Sequence, residues 1–250
     1  MRVDPVVLLA PAKLTRSLRV TGLRPDGLHL LEAEMVSLDL RDELHVLDGD
    51  GLVVEGEEVD AGRDNLVERA LRAVGRRAEV RLVKRIPPGA GLGGGSSDAA
   101  AILRWAGVRP DRTGLDLAAS LGADVPFCLA GGRALVRGVG EEVQPLAPVA
   151  LAFTLLIPPF GVATAAVYAR WDALGGPVGA TGNDLEPAAL AVEPRLARWR
   201  DALGESTGAT PRLAGSGSTW FVDGEWADCP DRLHLPEAGG TARVLVARSA

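Results

Sequence analysis

The sequence predicts an α+β fold. Stretches with strand and helix patterns follow one another without a regular rhythm, hairpin signals join several strands, and no internal repeat is present. Residues 6–20, VVLLAPAKLTRSLRV, begin apolar and then alternate, as a strand or a pair of strands requires. RPDGLH, 24–29, supplies a Pro-Asp-Gly turn, and 32–47 continue as further strand. Residues 65–75 place Leu66, Leu71 and Val74 on one helical face and stop at Gly75. AEVRLVKRI, 78–86, reads as strand. Helices are expected over 97–106 and 115–122, the second ending at Gly122. Residues 124–143 read as a loop followed by hairpin-like strands, and 150–159 as a buried apolar strand. Residues 161–174 start as loop and become helical, and LARWRDAL, 196–203, is amphipathic. A second glycine loop precedes a Trp/Phe strand within 212–224, and 243–249 close as strand. Pro145 and Pro148 mark a boundary between two domains, 1–147 and 148–250.

Composition narrows the class. The chain has 250 residues, 47% of them hydrophobic and 24% charged, which suits a water-soluble protein with a real core. A net charge of −6 offers no general basic field, so nucleic acid is not the expected partner. No apolar run has the length of a membrane span, and the N-terminus lacks a signal-peptide pattern. Cys128 and Cys229 have no metal-ligand spacing and read as free thiols of a reducing cytosol. The expectation is a cytoplasmic protein, monomer or homodimer, that acts on a small molecule. Lysine occurs only at Lys13 and Lys84 in an Arg-rich chain, so each marks a place where a compact ammonium matters.

The most informative stretch is PPGAGLGGGSSDAAA, 87–101. Gly89, Gly91, Gly93, Gly94 and Gly95 let several backbone N–H groups converge, and a helix starting just after adds its unpaired amides and positive dipole end. Ser96, Ser97 and Asp98 are all residue types that cap helices. Pro88, Gly89, Ala90, Gly91, Leu92, Gly93, Gly94, Gly95, Ser96 and Ser97 therefore form a candidate phosphate cradle. A Walker A loop is excluded because no Lys follows the glycines. Gly89, Gly91 and Gly94 match the Rossmann fingerprint formally. Pro87 and Pro88, however, separate them from the preceding strand.

P-x-G-x-G-L-G-G-G-S-S-D-A resembles the phosphate-binding motif of the GHMP kinases, and the intact GLGGGSSDAA is most similar to the 4-diphosphocytidyl-2-C-methyl-D-erythritol kinases within them. APAKLT (10–15), RPDGLHLLE (24–32), DNLVERA (64–70), LGADVPF (121–127), GNDLEP (182–187) and LAGSGSTWF (213–221) resemble further segments of that family. The resemblance implies a two-domain fold with the active site in the interdomain cleft. It also implies ATP with Mg²⁺, Ser96 or Ser97 lying near the metal. The acceptor would be the 2-hydroxyl of a cytidine-diphosphate-linked polyol, in non-mevalonate isoprenoid synthesis. By the same match Lys13 and Asp124 would be the catalytic pair, Asp124 as base. Asn65 would lie near the nucleotide base. His29 would contact the cytosine edge and Tyr168 stack on the ring, and Gly215, Ser216 and Gly217 would close over substrate. Thr15 and Leu28 replace the family's Asn and aromatic at substrate-facing positions. They leave open a GHMP kinase with another alcohol acceptor. A silent nucleotide-binding paralogue is the remaining alternative, and retention of Lys13 and Asp124 argues against it.

Overall fold

A long hairpin organises the molecule. In this computed structural model, which describes residues 5–56, 61–62, 64–226 and 228–250, β1 (Val6–Leu23) runs antiparallel to β2 (His29–Leu47). The turn between them closes through Arg24 N–H to Leu28 O at 2.8 Å, with Gly27 at φ +85°. The pairing slips between Pro11 and Lys13 and again between Thr15 and Ser17. Such slips re-aim side chains. Ala12, Lys13, Leu14 and Thr15 are all buried because this stretch of β1 is covered on both faces, Ala12 and Leu14 packing in an apolar cluster with Ile86, Leu92 and Phe153 and Lys13 and Thr15 facing the other way.

β3 (Gly51–Gly56) pairs in parallel with β4 (Glu79–Lys84) across α1 (Leu66–Ala73). β3 is too short and too glycine-flanked to stand out in the sequence. α2 (Gly94–Trp105) begins inside the glycine run, three residues before the expected start. Its N-cap is Gly93 at φ +67°, so none of Ser96, Ser97 and Asp98 caps it. α3 (Arg112–Leu121) starts earlier than expected because the Asp111 carboxylate accepts from Gly114 N–H at 3.0 Å. Residues 125–130, expected as loop, form α4 (Val125–Ala130). Pro126 disguised it, yet proline is at home in a first helical turn. β5 (Arg133–Gly138) and β6 (Glu142–Pro145) complete the first sheet, ordered β3-β4-β2-β5-β6 with β1 on β2.

After β6 the chain enters the second sheet: β7 (Ala152–Ile157), α5 (Thr164–Ala173), α6 (Glu186–Val192), α7 (Arg195–Thr207), β8 (Arg212–Leu213), β9 (Trp220–Asp223), β10 (Arg232–Leu235) and β11 (Gly240–Arg248). The order is β10-β11-β7-β9-β8, so the last strand is internal. Several hydrogen bonds tie the two halves together. Ala250 N–H donates to Ser37 O at 2.9 Å, and Leu18 exchanges backbone bonds with Gly182 and Asp184 at 2.9 Å each. Among the described residues no helix is long and apolar enough to cross a membrane.

Candidate active site

Where the hairpin, the glycine run and the loop before β9 meet, a cavity of about 600 Å³ opens. That is ample for a nucleotide or a small substrate. Lys13, Thr15, Asn65, Pro88 to Ser96, Asp124, Tyr168, Gly215 and Ser216 all line it.

The Lys13 ammonium lies 3.4 Å from Asp124 Oδ2 and donates to Thr15 Oγ1 at 3.1 Å. Thr15 follows two positions along β1, so both side chains leave the same face of the strand. Asp124 stands at the head of α4 with its side chain about one-third exposed, open to the cavity. The backbone of Lys13 is bonded to the glycine run, its N–H donating to Leu92 O at 2.9 Å. Gly89, Gly91 and Gly93 all adopt positive φ, alternating with ordinary residues. Successive amides in such a chain curl around an anion-sized hollow. The amides of the first turn of α2 have no intrahelical acceptor and add to it.

Beneath α2 lies a trio whose assembly the sequence reading missed. Lys84 Nζ is 2.5 Å from Asp42 Oδ2 and 2.8 Å from Asp98 Oδ2, with all three side chains out of water. Asp42 also accepts the N–H groups of Arg85 and Ile86. The Asp98 carboxyl is pushed up to about 7 as the net of opposing effects, burial raising it most. Within that net value the Lys84 charge works against the rise and the Asp42 charge adds to it. Lys84 is raised as well: burial opposes its charge, but two carboxylates outweigh that. Lys84 and Asp98 both touch the cavity floor.

The second glycine loop is clamped from behind. Buried Asn183 donates to Leu213 O at 2.9 Å and Gly215 O at 2.7 Å. Ser216 Oγ pairs with Thr164 Oγ1 at 2.9 Å. Burial raises the Tyr168 phenol to about 12, helped by Asp124, so it stays protonated.

Four expected site residues are not among those that line the cavity. Ser97 is fully buried and donates to Pro11 O at 2.5 Å, so its proton is committed to β1 rather than to a phosphate. Gly217 is buried behind the loop, its carbonyl packed towards Gly91. Leu28 is 51% exposed in the β1–β2 turn. His29 stacks on Tyr168, one ring removed from the lining.

The two glycine loops pack backbone to backbone. Thr219 N–H donates to Ala90 O at 3.1 Å. A Cβ on Gly91, at φ +78°, would come within 2.6 Å of both Ala214 O and Gly217 O. Gly91→Ala is therefore expected to destabilise the chain by at least about 1–3 kcal/mol, from the left-handed backbone alone. A thermal melt checks this, and an unchanged midpoint would mean the loops part without cost.

Residues 65–132 match the model of the GHMP kinases N terminal domain. The 4-diphosphocytidyl-2-C-methyl-D-erythritol kinase of Pelotomaculum thermopropionicum is 41% identical, over 86% of this chain and 88% of its own. That of Paracoccus denitrificans is 40% identical, over 85% and 84%. The chain belongs to the 4-diphosphocytidyl-2-C-methyl-D-erythritol kinase family. A crystal structure of 4-(cytidine 5'-diphospho)-2C-methyl-D-erythritol kinase superposes with a TM-score of 0.73 at 33% identity, covering 98% of this chain and 100% of that one. Methanococcus jannaschii mevalonate kinase, 11% identical with a TM-score of 0.63, shares the fold. The kinase family thus has the α+β architecture that the irregular run of elements predicts.

Proposed function

We propose that this chain transfers the γ-phosphoryl group of ATP to the 2-hydroxyl of 4-diphosphocytidyl-2-C-methyl-D-erythritol, a step of non-mevalonate isoprenoid synthesis. The observation that carries the reading is the Lys13–Asp124 pair, 3.4 Å apart and in one cavity with a positive-φ glycine run. Gly89 to Ser96 hold the phosphates through backbone amides, behind Pro88, with Asn65 beside the base. Asp124 takes the acceptor's hydroxyl proton as its oxygen attacks the γ-phosphorus and ADP leaves. Lys13 offsets charge on the transferring group. Charge in such a transition state is spread over several oxygens, so position and field matter more than covalent chemistry.

Mg²⁺ would be held by the phosphate oxygens and the Ser96 hydroxyl, neutralising charge between them. Among the described residues no group of three or more His, Cys, Asp or Glu side chains could cage an ion. Tyr168, Gly215 and Ser216 face the acceptor. Residues 1–147 and 148–250 act as two domains around the cleft, a division supported by the passage from one sheet to the other between β6 and β7.

The test is ADP release from ATP, Mg²⁺ and 4-diphosphocytidyl-2-C-methyl-D-erythritol. Acceptor-dependent release is expected. ATP binding without turnover would move the acceptor assignment elsewhere, with Thr15 and Leu28 the first positions to restore.

A further inference from the structure

The start of β2 and one face of α5 bring together four side chains outside the phosphoryl-transfer geometry. His29 Nε2 lies 2.8 Å from Asp172 Oδ1. The His29 ring stacks on Tyr168 with centroids 4.7 Å apart and 30° between planes. Trp171 meets it edge-on at 5.6 Å, and is itself fixed by Nε1–H donation to Pro177 O at 3.0 Å. Tyr168, Trp171 and Asp172 have i, i+3, i+4 spacing, so they share one helical face. The His29 side chain is only 11% exposed, so its ring is held on two sides and bonded on a third.

An ionised carboxylate can only accept hydrogen bonds. Nε2 must therefore carry the hydrogen, and a neutral ring then has its lone pair on Nδ1. Among the described residues no group bonds Nδ1. The ring thus offers one acceptor of fixed direction beside the aromatic face that lines the cavity. A cytosine carries an exocyclic amine that donates to such an atom. A uracil carries a carbonyl at the same place, and two acceptors repel.

We propose that Asp172 is a positioning residue for base recognition. By holding His29 in the Nε2–H tautomer, it makes Nδ1 the acceptor that favours a cytidine-bearing substrate over its uridine counterpart. This rests on the acceptor proposed above. The residue itself touches neither the substrate nor the reacting atoms.

The test compares the unsubstituted chain with Asp172→Asn and Asp172→Glu, using the cytidine acceptor and its uridine counterpart. Long-range ¹H–¹⁵N NMR of His29 is recorded at about pH 8.5, where an ordinary imidazole is neutral. The expected spectrum is that of the Nε2–H tautomer. An Asn amide can donate to Nε2 and so release the other tautomer. Asp172→Asn should then raise KM for the cytidine acceptor about tenfold and leave kcat within about twofold, the scale of one hydrogen bond. The cytidine-over-uridine preference in kcat/KM should fall by a similar factor, and Asp172→Glu should restore it. An Nδ1–H tautomer in the unsubstituted chain would overturn the proposal. So would equal losses on both acceptors, which is what a merely structural role predicts. If the unsubstituted chain released no ADP with the cytidine acceptor, the acceptor assignment itself would fall. The NMR tautomer would still report separately on the hold of Asp172 on His29.

Discussion

Asp124→Ala is expected to lower kcat by about 10²–10⁴, the usual contribution of a general base. Its melting point and ATP affinity should stay close to those of the unsubstituted chain. The carboxylate is partly exposed at the head of α4 and makes no capping bond there, so the helix loses little with it. Lys13→Ala should lower kcat by about 10²–10³, the range for one electrostatic partner of the transition state. Lys13 is the more structural of the two, since its stem packs against Gly93 and its ammonium holds Thr15. Single-turnover kinetics alongside a thermal melt separate the effects. Near-normal turnover in either folded variant would sink the catalytic pair.

Lys84→Ala should do something different: unfold the chain or cost about 3–5 kcal/mol. It removes the one cation between two buried carboxylates, and breaking a buried pair from one side leaves an uncompensated charge. Urea titration measures it. The pH dependence has a definite sign. A carboxyl whose folded pKa is raised favours the folded state at low pH and loses that contribution as pH rises through the folded value. For Asp98 the window runs from its ordinary 3.8 to about 7. Without Lys84 the same carboxyl rises further, so the deficit should shrink towards pH 4 and grow towards pH 8. A deficit independent of pH would show that lost packing, not stranded charge, is responsible.

The glycine run was legible because its chemistry lies in the backbone and its residues are contiguous. Lys13 and Asp124 were legible because short motifs surround each. Of the trio only Lys84 was legible, by its rarity, and its two partners were not. Asp42, Lys84 and Asp98 come from two strands and a helix, and on a strand pattern a lone charge reads as a solvent-facing residue. Only the pairing of β2 with β4, and the seating of α2 over them, turns these charges inward. Ser97 misled for the converse reason. The serine is in the motif, but the Pro11 carbonyl of β1 claims its hydroxyl proton, and nothing local to residues 87–101 announces that. α4 was hidden by a proline whose position in the helix, not its identity, decides its effect. The second sheet was legible where strands were apolar throughout, as in β7, and less so where the chain merely braces the site.

Both lysines of the chain are inside, each about 5% exposed, and both border the cavity. Every positive side chain on the outer surface is therefore a guanidinium or a histidine. An acylating reagent that attacks primary amines finds no lysine on the exterior of the folded chain. A lysine adduct formed without unfolding would mark passage into the cleft, so the interior carries its own covalent reporter of whether the cleft is open.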